Sequence, residues 1–217
     1  LAGYSGYQAI YPWGYSPLET LNENDWEITA GLRGAFHKWN WDLSTVYGRD
    51  YDDIGLKNSA NLQLEKDTGR TPTKFDVQGF NNQQWTSSFD LNRPFHLSGW
   101  PHAINVARGA AYRLESYAIG TGSPDSTYSS GAQALAGTTA GNAGKFYRDV
   151  VSGYIDVWAH LAKSLQLDLA GRYEHYTDAG DTETGKAALR YDPYKWLGFR
   201  ATISNGFHAP TLAQEYY

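Results

Sequence analysis

Eight stretches of this chain alternate apolar and polar residues with a period of two, the signature of strands with two unlike faces. In 26-WEITAGLRGAF-36, Trp26, Ile28, Ala30, Leu32 and Phe36 fall on one side, and Glu27, Thr29 and Arg33 on the other. The run 39-WNWDLSTVYG-48 sets Trp39, Trp41, Leu43 and Tyr47 against Asn40, Asp42 and Ser44. In 85-WTSSFDLN-92, Trp85, Phe89 and Leu91 oppose Thr86, Ser88, Asp90 and Asn92. The run 104-INVARGAAYRLESY-117 alternates from Ile104, with Arg108 as its one flaw. The remaining four are 151-VSGYIDVWAHL-161, 165-LQLDLAGRYEHY-176, 186-KAALRYD-192 and 196-WLGFRATISN-205. Helical spacing fits none of them better.

The connections alternate as well. Short ones fall near 37–38, 95–102, 162–164 and 192–195; long ones span 51–84, 119–145 and, more briefly, 177–185. The long ones are polar and rich in Gly, Ser and Asn, as in 120-GTGSPDSTYSSGAQALAGTTAGNAG-144. An outer-membrane barrel puts short turns at the periplasmic end and long loops outside, whereas a soluble sandwich has no reason to sort them. On the apolar face, Trp26, Tyr47, Trp85 and Tyr173 fall toward the long-loop end, and Phe36, Trp39, Trp41 and Trp196 toward the short-turn end. Those are two aromatic girdles, expected where rings sit at headgroup level.

The opposite face carries Glu27, Arg33, Asp42, Asp90, Arg113, Glu115, Asp156, Asp168, Arg172, Glu174, Arg190 and Arg200. So many charges do not fit a dry core; the competing arrangement puts them on the solvated face of a sandwich. The pattern favours an all-β, antiparallel, up-and-down transmembrane β-barrel region. Residues 1–24 are expected to form an extracellular loop, 25–206 eight strands with their loops, and 207–217 the start of the next loop.

A mean hydropathy of −0.56 looks soluble, but a barrel strand carries a weak hydropathy signal because only every second residue meets lipid. No run approaches the ~18 apolar residues of a membrane-spanning helix. The formal charge of −5 comes without a basic cluster, so no nucleic-acid partner is expected. There is no Cys, hence no disulfide framework, thiolate metal site or thiol nucleophile. The chain starts at Leu1 and contains no Met; a processed or partial sequence is expected.

Candidate chemistry is sparse. Tyr4, Tyr7, Tyr11, Trp13 and Tyr15 crowd a Gly/Pro-containing stretch that should lie at the extracellular end. Flat amphipathic rings there suit stacking on a sugar or an aromatic siderophore, or packing of the loop itself. Asp168, Arg172, Glu174 and Arg200 are expected to face the lumen or a plug, the first three mainly pairing structurally. Trp26, Trp39, Trp41, Trp85, Tyr173 and Trp196 are expected to face lipid. Glu174 and His175 point opposite ways from a strand, so with Asp178 they are not expected to converge on a metal. No Ser-His-Asp arrangement stands out, and Gly120 and Gly122 lack the rest of a phosphate cradle. No catalytic residue, metal or cofactor is expected.

The segment 171-GRYEHYTDAGDTETGKAALRYDPYKWLGFRATISNGFHAPTLAQ-214 resembles the barrel region of TonB-dependent outer-membrane receptors. Its order of elements carries the likeness: a strand with an Arg-Tyr-Glu triplet, an aspartate by a short loop, a Lys-containing strand, a Pro turn and a closing Gly-Phe-His-Ala-Pro. The segments 89-FDLNRPF-95 and 106-VARGAAYRLESY-117 are similar to family segments too. His208 stands where the family usually has Arg, Ala111 where it often has an acid, and Arg108 where an apolar lipid-facing residue is usual. An Arg at the bilayer midplane would cost about 2–4 kcal/mol, which a bulge or a position nearer the interface would relieve. The resemblance implies a plugged barrel of about 22 strands, of which this chain would be a fragment. It implies uptake of an iron–siderophore or another large solute such as an oligosaccharide. The implied partners are outer-membrane lipid and the TonB energy-coupling complex, the latter through a plug region with no counterpart here. Two alternatives are an independent eight-stranded outer-membrane barrel with an adhesive or structural role and a secreted carbohydrate-binding sandwich.

Overall fold

The computed structural model describes the backbone of residues 5–100 and 102–217, and side chains from residue 8 onward apart from 101. Eight strands appear where alternation places them: β1 (Leu18–Phe36), β2 (Trp39–Lys57), β3 (Lys74–Phe95), β4 (Ile104–Ile119), β5 (Gly144–Ala162), β6 (Leu165–Tyr176), β7 (Gly180–Tyr194) and β8 (Leu197–Ser204). Short helices punctuate them: α1 (Ser5–Ile10), α2 (Leu62–Thr68), α3 (Pro124–Thr127) and α4 (Leu212–Tyr216). All eight strands join one sheet in the order β1-β2-β3-β4-β5-β6-β7-β8, each pairing with its sequence neighbours. This is the up-and-down arrangement of a barrel wall, whereas a sandwich needs two packed sheets.

Five strands extend well past their alternating runs on the long-loop side. β1 begins at Leu18, β2 ends at Lys57, β3 begins at Lys74, β5 at Gly144 and β7 at Gly180. The extensions, such as 49-RDYDDIGLK-57 and 180-GDTETG-185, do not alternate apolar with polar. A strand shows alternation only where its faces meet unlike surroundings, so these parts leave no period-two signal. The 177–185 connection therefore shrinks to a tight turn, with Gly180 at φ +77, a left-handed conformation that glycine takes without strain.

The chain packs as two compact units. The first takes residues up to Glu27 with Gly48–Gln83 and Ser116–Tyr147. Its core gathers Leu56, Phe75, Val77 and Ala132, with Leu135 packed against them. Asn61, fully buried, organises the two long loops. Its side-chain oxygen caps α2 by accepting from Leu64 N, and its Nδ2 donates to the carbonyls of Asp125 and Tyr128 at 2.9 Å each. The polar Gly/Ser-rich segments are thus held by hydrogen bonds to their backbone as well as by this small apolar core.

The second unit takes Ile28–Tyr47, Gln84–Glu115 and Arg148–Tyr217. Here β5 to β8 stand in register as rungs: Tyr154, Arg172 and Thr184; Asp156, Ala170, Lys186 and Ser204; Trp158, Asp168, Ala188 and Thr202; His160, Gln166, Arg190 and Arg200. Ile155, Val157, Leu167, Leu169, Leu189, Phe199, Ala201 and Ile203 interleave on the other face. Glycines make room for the larger rings. A Cβ on Gly34 would lie 2.8 Å from the Trp41 ring, and one on Gly109 2.5 Å from the Tyr154 ring.

Candidate functional site

The polar face of β5–β8 is an array of ion pairs and hydrogen bonds. Arg172 donates to Glu174 at 2.7 Å and to Ser152 Oγ at 3.1 Å, and Glu174 also accepts from the Tyr176 hydroxyl at 3.1 Å. Asp168 receives Lys186 at 2.7 Å, with Asp156 at 3.9 Å from the same ammonium. Lys186 was not among the expected charges, although its place at the start of 186-KAALRYD-192 puts it in phase with Arg190. Arg200 lies directly opposite Arg190, whose Nε bonds Asp192 at 2.9 Å. Tyr154 donates to Asp90 at 2.6 Å across the space left by Gly109. Such a face offers a solute fixed charges and hydroxyls and contains no nucleophile–base arrangement among these pairs.

At the long-loop end of β5, Arg148 is only 2% exposed, yet it is charged. Its guanidinium donates to Asp178 at 2.5 Å, to the Pro210 carbonyl at 2.7 Å and to Glu215 at 3.2 Å, and it lies 3.5 Å from Glu115. The Tyr176 ring covers it at 5.8 Å. One side chain therefore joins β4, β5, the β6–β7 turn and the segment after β8. That segment packs Ala209 against Val150 and Tyr176. Thr211 then caps α4 in a reciprocal box with Gln214. Arg148 lies just before the alternating run beginning at Val151, and its partners are far apart in sequence; only the fold brings them together. His208 is exposed.

Glu174, His175 and Asp178 turn to three different partners: Arg172, Asp181 and Arg148 respectively. A different carboxylate group comes together in the first unit, where ligand oxygens of Glu23, Asp50 and Asp52 lie within 4.8 Å of one another. Hard divalent cations favour such oxygen sets. These three residues sit in strand extensions, where alternation is silent.

Of the loop aromatics, Tyr4 and the Tyr7 side chain lie outside the described residues. Tyr11 donates to the Ser59 carbonyl at 3.2 Å and stacks on Tyr15 with ring centroids 4.7 Å apart, so both rings pack the loop. Trp13 is 97% exposed, leaving its indole open for stacking. On the apolar face, Trp26, Trp85, Tyr173 and Trp196 are exposed, while Trp39 and Trp41 are half-buried. Trp85 Nε1 donates to Thr45 at 2.7 Å.

Residues 2–217 match the sequence profile of the family described as TonB dependent receptor-like, beta-barrel. The chain belongs to that family. Similar folds occur in the ferric enterobactin receptor PfeA of Pseudomonas aeruginosa. A doubly substituted mutant and a glycine-to-valine mutant each give a TM-score of 0.61 at 17% identity, over 90% of this chain and 26% of theirs. The same receptor in complex with BCV-L6 gives 0.58 at 16% identity, over 90% and 27%. The chain thus spans about a quarter of the length of these receptors. A search of curated proteins found no match.

Removing Arg148 leaves carboxylates facing one another without their shared cation. Arg148→Ala is expected to cost about 3–5 kcal/mol, read as a lower urea midpoint of the intact receptor, with Arg148→Lys losing less. In the loops, Asp67 accepts both Gln63 contacts at 2.9 Å and the Tyr128 hydroxyl at 3.0 Å. The Gln63 bond first, then Tyr128, hold its carboxyl below the ordinary value, and the Asp67 bond pushes the Tyr128 phenol up. A depressed folded value stabilises above the ordinary carboxylate range, and that stability is lost as pH falls through the folded value. Hydrogen-exchange protection around α2 and α3 should therefore be flat at neutral pH and drop below about pH 4. Asp67→Asn should remove that drop.

Proposed function

We propose that this chain is part of the wall of an outer-membrane receptor that imports a large solute, with a ferric chelate as the leading ligand class and an oligosaccharide as the other. The observation that carries this reading is the sorting of the sheet's two faces. Ile155 is 52% exposed, Leu169 44%, Phe199 58% and Ile203 75%, all on the face opposite the ion pairs. A row of this kind facing water would promote self-association, whereas hydrocarbon matches it. The fold's likeness to ferric enterobactin receptors supports the ligand class.

In this reading Trp26, Trp39, Trp41, Trp85, Tyr173 and Trp196 mark the two lipid interfaces. Asp168, Arg172, Glu174 and Arg200 face the hydrated lumen or a plug, through which TonB would act. Trp13 is the ligand-contacting aromatic of the first loop, with Tyr11 and Tyr15 supporting it. The strand order offers no support for an independent closed eight-stranded barrel, because β1 and β8 stand at its two ends.

Ile155→Arg in the intact receptor should destabilise the barrel by about 2–4 kcal/mol if the residue lies near the bilayer midplane. Urea unfolding in lipid vesicles reads this directly, and an unchanged midpoint would sink the lipid-facing assignment. Trp13→Ala should weaken binding of the transported solute about tenfold. Equilibrium binding of a panel of ferric chelates and oligosaccharides to cells carrying the intact receptor would show it. Unchanged affinity across every ligand that binds would remove Trp13 from the site.

A further inference from the structure

The apolar face carries two arginines near its short-turn end. Arg93 lies two residues before the end of β3, and Arg108 four residues after the start of β4. Arg93 is in phase with Trp85, Phe89 and Leu91, and Arg108 with Ala110 and the exposed Tyr112. Both converge on Trp39: the Arg93 guanidinium carbon lies 5.8 Å from that ring and the Arg108 carbon 4.9 Å. Arg93 also lies 4.7 Å from the Phe95 ring.

Neither guanidinium is paired with a carboxylate among the described residues, and Arg93 Nε is shielded from solvent with no hydrogen-bond partner. Aromatic faces attract a cation but accept no strong hydrogen bond from its N–H groups. Arginine stays charged in any protein environment and presents a planar fork matched to phosphate oxygens. The aromatic rings of Trp39 and Phe95 set the depth at which headgroups lie.

Next to Arg108 a groove of about 740 Å³ opens on the same face. Phe89, Leu91, Ala110, Ile155 and Tyr173 wall it, and Gly153 and Gly171 leave its floor without side chains. A Cβ on Gly171 would meet nothing within 4 Å, so packing does not demand glycine there. Exposed Glu183 stands opposite Tyr173 and lines the groove away from Arg93 and Arg108. The groove thus has Arg108 at one end and apolar walls along its length, with Arg172 and Glu183 both at the other.

We propose that Arg93 and Arg108, framed by Trp39, bind the phosphate of an anionic phospholipid in the periplasmic leaflet, with one acyl chain lying in the groove floored by Gly153 and Gly171. This rests on the reading of the apolar face as lipid-facing. Charge complementarity with Arg93 and Arg108 selects an anionic lipid over a zwitterionic one.

The test uses the intact receptor, delipidated in a neutral detergent and supplied with phosphatidylglycerol, phosphatidylcholine or inorganic phosphate. Native mass spectrometry reads how much of each is retained. Phosphatidylglycerol should be retained about tenfold more strongly than phosphatidylcholine, and Arg93→Gln with Arg108→Gln should abolish that preference. The double Lys variant should keep part of it, and Gly171→Leu should reduce retention of the lipid without creating phosphate binding. Heat-modifiable gel mobility confirms that each variant folds. Equal retention of the two lipids by the wild type, or an unchanged preference in the double Gln variant, would overturn the site. Retention of inorganic phosphate as strong as that of the lipid would overturn the acyl-chain groove. Failure of the wild-type receptor to insert into vesicles would instead overturn the lipid-facing reading.

Discussion

A backbone amide in hydrocarbon has no water to bond, so every N–H and C=O must find its partner in a neighbouring strand. A meander in which each strand pairs with its sequence neighbours meets that demand with short turns and no crossovers. The order β1 to β8 follows this plan throughout. Once the backbone is satisfied in this way, side chains are free to divide by face, and the family's architecture follows from that division.

The division leaves a charged face whose members must be balanced locally. Lys186 bridges Asp168 and Asp156, and Arg172 joins Ser152 to Glu174. Arg148 does more, because its partners come from β4, the β6–β7 turn and α4 as well as the Pro210 carbonyl. A nearly buried guanidinium holds several segments in place only while all its bonds are made. The segment after β8 is therefore set against Val150 and Tyr176 by both apolar contact and charge.

Legibility in the sequence followed the difference between the two faces. Residues 165–176 were readable as a strand because Leu165, Leu167 and Leu169 alternate with Gln166 and Asp168, and β6 has those bounds. The start of β7 was not, since 180-GDTETG-185 is polar or small throughout. The long loops looked structureless by composition, although Asn61 before α2 and Gly69 after it, at φ +76, bracket a capped helix. The contacts between Asn61 and the carbonyls of Asp125 and Tyr128 join residues over sixty positions apart; no local pattern announces them. Arg108 read as a flaw in an apolar face. Its place over Trp39, beside Arg93, gives that flaw a companion.

The sequence by itself determined the number of strands and the face that each residue of the alternating runs takes. Those properties depend on the period-two geometry of a strand and on neighbours within a few residues. Tertiary structure decided how far strands run beyond the alternating segments, which opposite charges meet, and how the loops are tied together. Those outcomes depend on strand register and on contacts between distant segments, and a polar residue carries no mark of the partner it will find there.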